Sequence, residues 1–155
     1  MNKNLKEAPN FNEADVQLRE KIREKGLSLG FDWVGFTGAA ANLTHPNYIA
    51  WLDQGFAGEM HYLHKHAPQK TSSQNVMGSA QTVISVACNY FHDDTSKIKF
   101  QDSSRGRFSR YSRGDDYHLI LKDRLEEFRN WLLSEELASS YEQTRAYVDT
   151  GPLLE

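Results

Sequence analysis

Thr82-Val-Ile-Ser-Val-Ala-Cys-Asn-Tyr-Phe91 (TVISVACNYF) is the stretch that decides the fold. It is rich in β-branched and aromatic side chains and carries no charge, Gly or Pro, which suits a strand inside a sheet. The pattern predicts the centre of that sheet. Upstream, Phe31 to Thr37 (FDWVGFT) has the same character and stops at Gly38, so it reads as a second strand. Between them, Pro46 opens a short helix over Asn47 to Gln54 that presents Tyr48, Trp51 and Leu52. Gly55 and Gly58 interrupt it, a second short helix follows over Glu59 to His66, and Pro68 to Ser79 is a polar loop.

Further out, Asn12 to Leu29 places Val16, Leu18, Ile22 and Leu29 near helical spacing, with Asn12 as cap and Gly30 as stop. Residues 1–11 read as a flexible N-terminus and 12–155 as one domain. Downstream, His92 to Arg113 is a long polar loop, of a length that is usually functional or disordered. Asp115 or Asp116 then caps a long helix to about Leu137, with Leu121, Leu125, Phe128 and Leu132 as its apolar stripe. Arg145 to Asp149 reads as the last strand. The result is an α+β fold, a single-layer mixed or antiparallel sheet flanked by helices, and the expectation is an incomplete domain.

Composition narrows the classes. At 155 residues, 39% hydrophobic, the chain suffices for one core and not for two independent domains. The net charge of −3 conceals a basic segment, in which Lys97, Lys99, Arg105, Arg107, Arg110 and Arg113 face the single acid Asp102. Cys88 is the only cysteine, so the chain forms no internal disulfide and supplies no thiolate set for zinc or an iron–sulfur cluster. Cys88 itself reads as a small buried hydrophobe. The polar start lacks a secretory signal and no run approaches ~20 apolar residues, so the expectation is a soluble cytoplasmic protein without a membrane partner.

The residues that suggest chemistry lie at the end of the chain. Asp149 closes an apolar segment before Gly151-Pro152, where a carboxyl group is either held at the rim of a sheet or serves as a turn acid. Arg105, Arg107, Arg110 and Arg113, interleaved with Phe108 and Tyr111, can meet phosphates and stack on a flat ligand, or can solvate a loop and pair with Asp115 and Asp116. Tyr117 and His118 either position a ligand or cap and pack the helix. His61, His64 and His66 lack a convincing third ligand on one face, so no metal site is expected.

The segments GFDWVGFT, GEMHYLHKH, VISVACNYF, SRYSRGDDYH and VDTGPLLE, in this order, resemble the N-terminal, cobalamin-contacting DUF1730-type part of the epoxyqueuosine reductase (QueG) family. The similarity runs from about Val16 to Glu155, and SRYSRGDDYH with VDTGP is its most specific part. The resemblance implies reduction of epoxyqueuosine to queuosine at the tRNA wobble position, with cobalamin as cofactor and two 4Fe–4S clusters in a ferredoxin-like C-terminal part. That part is absent from these residues, so the chain alone is expected to be inactive. By the same resemblance Asp149 is the proton donor, Lys70, Ser109, Arg110, Tyr111, Tyr117 and His118 contact the cofactor, and Arg105, Arg107 and Arg113 contact the tRNA anticodon stem-loop.

An epoxide carbon–oxygen bond breaks to a developing alkoxide, and a positioned general acid commonly contributes ~10²–10⁴ in rate. To donate near neutral pH, Asp149 needs a raised pKa, which desolvation beside an apolar cofactor would supply. Two rival expectations stand beside the reductase fragment. One is a non-catalytic tRNA-binding module, and the other an interaction domain that docks on a separate cluster-bearing chain.

Overall fold

The computed structural model describes residues 12–40, 42–91, 104, 106, 108–138, 140–149 and 151–153. The expectations for residues 1–11 and for Lys97, Lys99, Arg105 and Arg107 lie outside the described residues. In chain order the elements are α1 (Glu13–Ser28), β1 (Trp33–Gly38), α2 (His45–Asp53), α3 (His61–Lys65), β2 (Thr82–Ala87) and α4 (Tyr117–Ser134). Short 3₁₀ turns lie at Gln69–Thr71, Ser73–Asn75, Arg110–Ser112 and Tyr141–Gln143.

α1 starts where the sequence places its cap, since Asn12 Oδ1 accepts from the Asp15 amide at 2.9 Å. It stops because Gly30 adopts φ +85°. The Gly30 amide then donates to Leu27 O at 3.0 Å and the Phe31 amide to Gly26 O at 3.3 Å, the paired bonds of a Schellman cap. That turn drops Phe31, 3% exposed, into the core and launches β1.

β1 and β2 are antiparallel, in register from Trp33↔Ala87 to Gly38↔Thr82. Strand alternation therefore puts Val34, Phe36, Ile84 and Val86 on one face. That face is covered by Ile22 of α1 and by Leu121, Leu125 and Phe128 of α4. α1 comes very close to β1, because a Cβ at Gly26 would sit 2.5 Å from Val34 Cγ2. α2 and α3 have a smaller cluster of their own, Leu52, Ala57 and Ala67, with Tyr48, Ile49, Trp51 and Leu63 around it.

The α+β class and the antiparallel sheet agree with the sequence pattern, and four details differ. β2 ends at Ala87 rather than Phe91, because the Asn89 amide turns to the Asp32 carboxylate at 2.7 Å instead of continuing the ladder. Among the described residues β2 has one neighbour, β1, so it is not the centre of the sheet. Arg145 to Asp149 forms no strand: Arg129 of α4 holds Thr144 just before it, Tyr117 of α4 bonds Asp149 at its end, and the chain turns left-handed there, φ +43°. Cys88 is half-buried against the core rather than enclosed, with Arg124 Nη1 3.6 Å from its Sγ.

Candidate functional site

The site is built on the first turn of α4. Asp116 is the N-cap and accepts from the His118 amide at 3.0 Å. Its Oδ1 also lies 2.8 Å from His118 Nδ1, so one carboxylate both caps the helix and orients the imidazole. The Tyr117 and His118 rings stack at 4.1 Å between centroids.

The chain beyond α4 doubles back along the helix. Glu136, φ +56°, makes the reversal, with the Leu137 amide donating to Leu132 O at 2.9 Å. Thr144 is extended (φ −127°, ψ 149°), and the run ends at Asp149 beside the start of α4. Asp149 Oδ2 accepts the Tyr117 hydroxyl, and Oδ1 lies 3.1 Å from His118 Nε2. A left-handed backbone is uncommon for a residue with a side chain, and Asp is among those that tolerate it. The Tyr147 ring lies against Gly151, where an added Cβ would come within 2.6 Å of Tyr147 Cγ.

Both nitrogens of His118 therefore face carboxylates, an arrangement in which both donate only when the ring is the imidazolium. The Asp116 hydrogen bond is the main cause of a raised His118 pKa, assisted by the Asp149 charge against the cost of partial desolvation. The same bond lowers Asp116. Donation to Asp149 pushes Tyr117 up to about 12, so the phenol stays a neutral donor at physiological pH. The Asp149 side chain is 50% exposed and opens to solvent.

Aromatic side chains extend from this triad. Tyr111 meets Tyr117 edge-on at 5.9 Å, Tyr90 meets Tyr111 edge-on at 6.0 Å, and the Arg110 guanidinium lies 4.5 Å from the Phe91 ring centre. Tyr90, Phe91 and Tyr111 are each half or more exposed. Ser109 begins the 3₁₀ turn that carries Arg110 and Tyr111, its carbonyl accepting from the Ser112 hydroxyl at 2.8 Å. Arg113 is turned toward the loop itself, with Nη2 donating to Phe108 O at 2.9 Å. Lys70 donates to Leu153 O at 2.8 Å, four residues beyond Asp149, and sits 5.6 Å from the Tyr48 ring centre.

Of the candidate residues, the fold thus joins Asp149, Tyr117 and His118 in one hydrogen-bonded group, with Tyr111 and Arg110 beside it. Lys70 reaches the same C-terminal turn, whereas Arg113 points back into its own loop. Tyr90 and the double role of Asp116 were not read from the sequence. The Asp-x-His spacing at the helix start was the available signal for Asp116. No group of His, Cys, Asp and Glu among the described residues could hold a metal ion. No helix among them is long and apolar enough to cross a membrane.

Comparison with known proteins gives a consistent picture. The family model described as epoxyqueuosine reductase QueG, DUF1730, matches residues 70–150. The epoxyqueuosine reductase of Escherichia coli K12 is 31% identical over 140 residues, which cover 90% of this chain and 36% of that protein. The structure of epoxyqueuosine reductase from Streptococcus thermophilus superposes with a TM-score of 0.69 at 23% identity, over 89% of this chain and 36% of that one. A crystal structure of epoxyqueuosine reductase with an epoxyqueuosine-modified tRNA-Tyr stem loop superposes with a TM-score of 0.67 at 24% identity, over 90% and 36%. The chain thus spans little more than a third of the length of these relatives.

Proposed function

The chain belongs to the epoxyqueuosine reductase QueG family, and from that premise we propose that it is the N-terminal part of a cobalamin-dependent reductase acting on epoxyqueuosine in tRNA, with Asp149 as proton donor. The observation that carries the proposal is the convergence of Tyr117 and His118 on the Asp149 carboxyl group. A general acid needs a fixed direction, which both donors supply, and a source of protons, which His118 supplies while Tyr117 stays neutral. Tyr117 and His118 orient the carboxyl group. After Asp149 has given its proton to the oxygen leaving the epoxide, the His118 imidazolium returns one from Nε2 to Oδ1. Asp116 holds the ring in place for that transfer. Loss of the oxygen as water breaks both of its carbon bonds and takes two electrons and two protons, the second proton passing through the reprotonated Asp149, and the action takes place in the cytoplasm.

The exposed rings of Tyr90, Phe91 and Tyr111, with Arg110 over Phe91, fit the flat edge and amide fringe of a corrinoid. Lys70, Ser109, Arg110, Tyr111, Tyr117 and His118 would hold cobalamin. When bound, cobalamin supplies reducing electrons at an epoxide carbon, and its apolar face would take water from the half-exposed Asp149. Cys88 is the sole thiol, so the residues of this chain do not fit the family's 4Fe–4S clusters, and electrons must come from a cluster-bearing part. Arg105, Arg107 and Arg113 are proposed to meet the phosphates of the tRNA anticodon stem-loop, as expected of basic loop residues beside an RNA substrate.

Titration of the purified chain with cobalamin, read by visible absorbance and calorimetry, tests the cofactor assignment. Saturable binding with a spectral change that Tyr111→Ala weakens supports it. A well-folded chain that fails to bind favours the second reading, a tRNA-binding or protein-interaction module, for which the exposed aromatic and basic loop is the favouring observation.

A further inference from the structure

Arg129 is the one buried charged residue among the described residues, 8% exposed, and it lies far along α4 from Asp149. Its guanidinium is committed on every nitrogen. Nε donates to Thr144 Oγ1, Nη2 to the carbonyls of Tyr141 and, at 3.0 Å, Thr144, and Nη1 to Glu126 at 3.3 Å. The Tyr141 ring lies flat on it, with the guanidinium carbon 3.2 Å from the ring centre, and the Tyr141 hydroxyl donates to Glu126 at 3.0 Å. Four of these partners belong to the returning segment or its ring. The guanidinium therefore clamps Tyr141–Thr144 onto α4 at the level of Glu126 and Arg129.

The distance left to Asp149 is short of slack. Asp149 follows Thr144 by five residues, a length that spans at most about 17 Å when fully extended. Along α4, at about 1.5 Å per residue, Glu126 lies roughly 12–14 Å from Tyr117 and His118, and Arg129 about 17 Å. The returning segment then leaves the clamp extended at Thr144 and has little slack before it bends at Val148 and Asp149.

We infer that Arg129 is a positioning residue, which pins the returning segment so that its nearly taut run delivers the Asp149 carboxyl group to Tyr117 and His118. The inference deepens the assignment of Asp149 as proton donor and rests on it for its relevance to catalysis. It does not need turnover to be tested. A buried arginine serving stability alone would be satisfied by any set of acceptors. Here its partners are the residues from which the distance to the reacting acid is measured.

The test follows the His118 imidazole by NMR against pH in the chain itself. The groups facing that ring are Asp116, Asp149 and the stacked Tyr117. One variant is Arg129→Gln, which releases the clamp. A second inserts a glycine between Arg145 and Ala146, which leaves the clamp and core intact and slackens the tether. In both, the His118 midpoint is expected to fall toward the ordinary 6.5, because the contribution of Asp149 is lost while that of Asp116 remains. In an Asp149→Asn background neither change should move His118 further, which a general loss of structure would do. The inference is overturned if the folded variants titrate as the parent does, or if the same fall occurs in the Asp149→Asn background. Should Arg129→Gln fail to fold, the insertion variant decides alone. Since the readout contains no reduction, loss of the reductase reading and loss of this inference are distinguishable.

Discussion

Replacing Gly26 by Ala tests how the helix and sheet are brought together. In an isolated helix this change stabilises by ~1 kcal/mol, because Ala loses less backbone freedom than Gly. In this chain the new methyl would sit 2.5 Å from Val34 Cγ2, where carbon atoms prefer ~3.5–4.0 Å. Val34 is 2% exposed, β-branched and fixed in β1 against Val86, so neither a rotamer change nor a small strand shift relieves the overlap. α1 would have to lift by about 1 Å from a packed layer. Overpacking of this kind costs ~1–3 kcal/mol, and the stiffness of Val34 places it near the top of that range. Subtracting the helix gain leaves a net destabilisation of about 1–2 kcal/mol. Urea denaturation should show a lower midpoint at unchanged slope. Val34→Ala removes the obstructing methyl, so Gly26→Ala made in that background should instead stabilise by up to ~1 kcal/mol. A rise in midpoint for Gly26→Ala alone, with no coupling to Val34, would refute the close-approach argument.

Two further outcomes follow from the geometry. Glu136 sits exposed at φ +56° in the cap of α4, so Glu136→Gly should raise stability by ~0.5–1 kcal/mol, measured by the same denaturation. For Tyr117, raised to about 12, the neutral form is favoured by folding; its stabilisation is complete below about 10 and is lost as pH rises through about 12. Phenolate absorbance should show Tyr117 ionising late, alongside Tyr48, which burial also raises, and Asp149→Asn should bring Tyr117 alone back toward 10.0. His118 is raised and contributes below 6.5, whereas Asp116 is lowered and contributes above 3.8. Asp116→Asn, which keeps a good helix cap, should therefore cost most stability between those values and progressively less at alkaline pH, as read from melting temperature against pH.

The parts of the fold that were legible in the sequence were those whose determinants are local. Asn12 and Asp116 cap their helices where capping chemistry puts them, and Gly30 ends α1 because the Schellman turn needs a left-handed residue there. The last segment was misread because its apolar residues look like a strand, yet it pairs with no strand among the described residues. It is held from α4 instead, with Thr144 just before it bonded by Arg129 and Asp149 at its end by Tyr117, and in sequence Arg129 is one more charge on a helix. The same reasoning applies to the site. Asp149, Tyr117 and His118 stand out by motif and resemblance, but their hydrogen bonds depend on a chain reversal at Glu136 and a return along α4 that no spacing rule encodes. Tyr90 lies far from Tyr111 in sequence, and only the fold brings their rings together.

The most direct measurement is reduction of an epoxyqueuosine-containing stem loop by an enzyme that joins this chain to the proposed cluster-bearing part, compared with its Asp149→Asn variant. The account predicts that reduction falls by ~10²–10⁴ while cobalamin binding, followed by visible absorbance, is nearly unchanged. Comparable turnover in the variant would contradict the assignment of Asp149 as the proton donor.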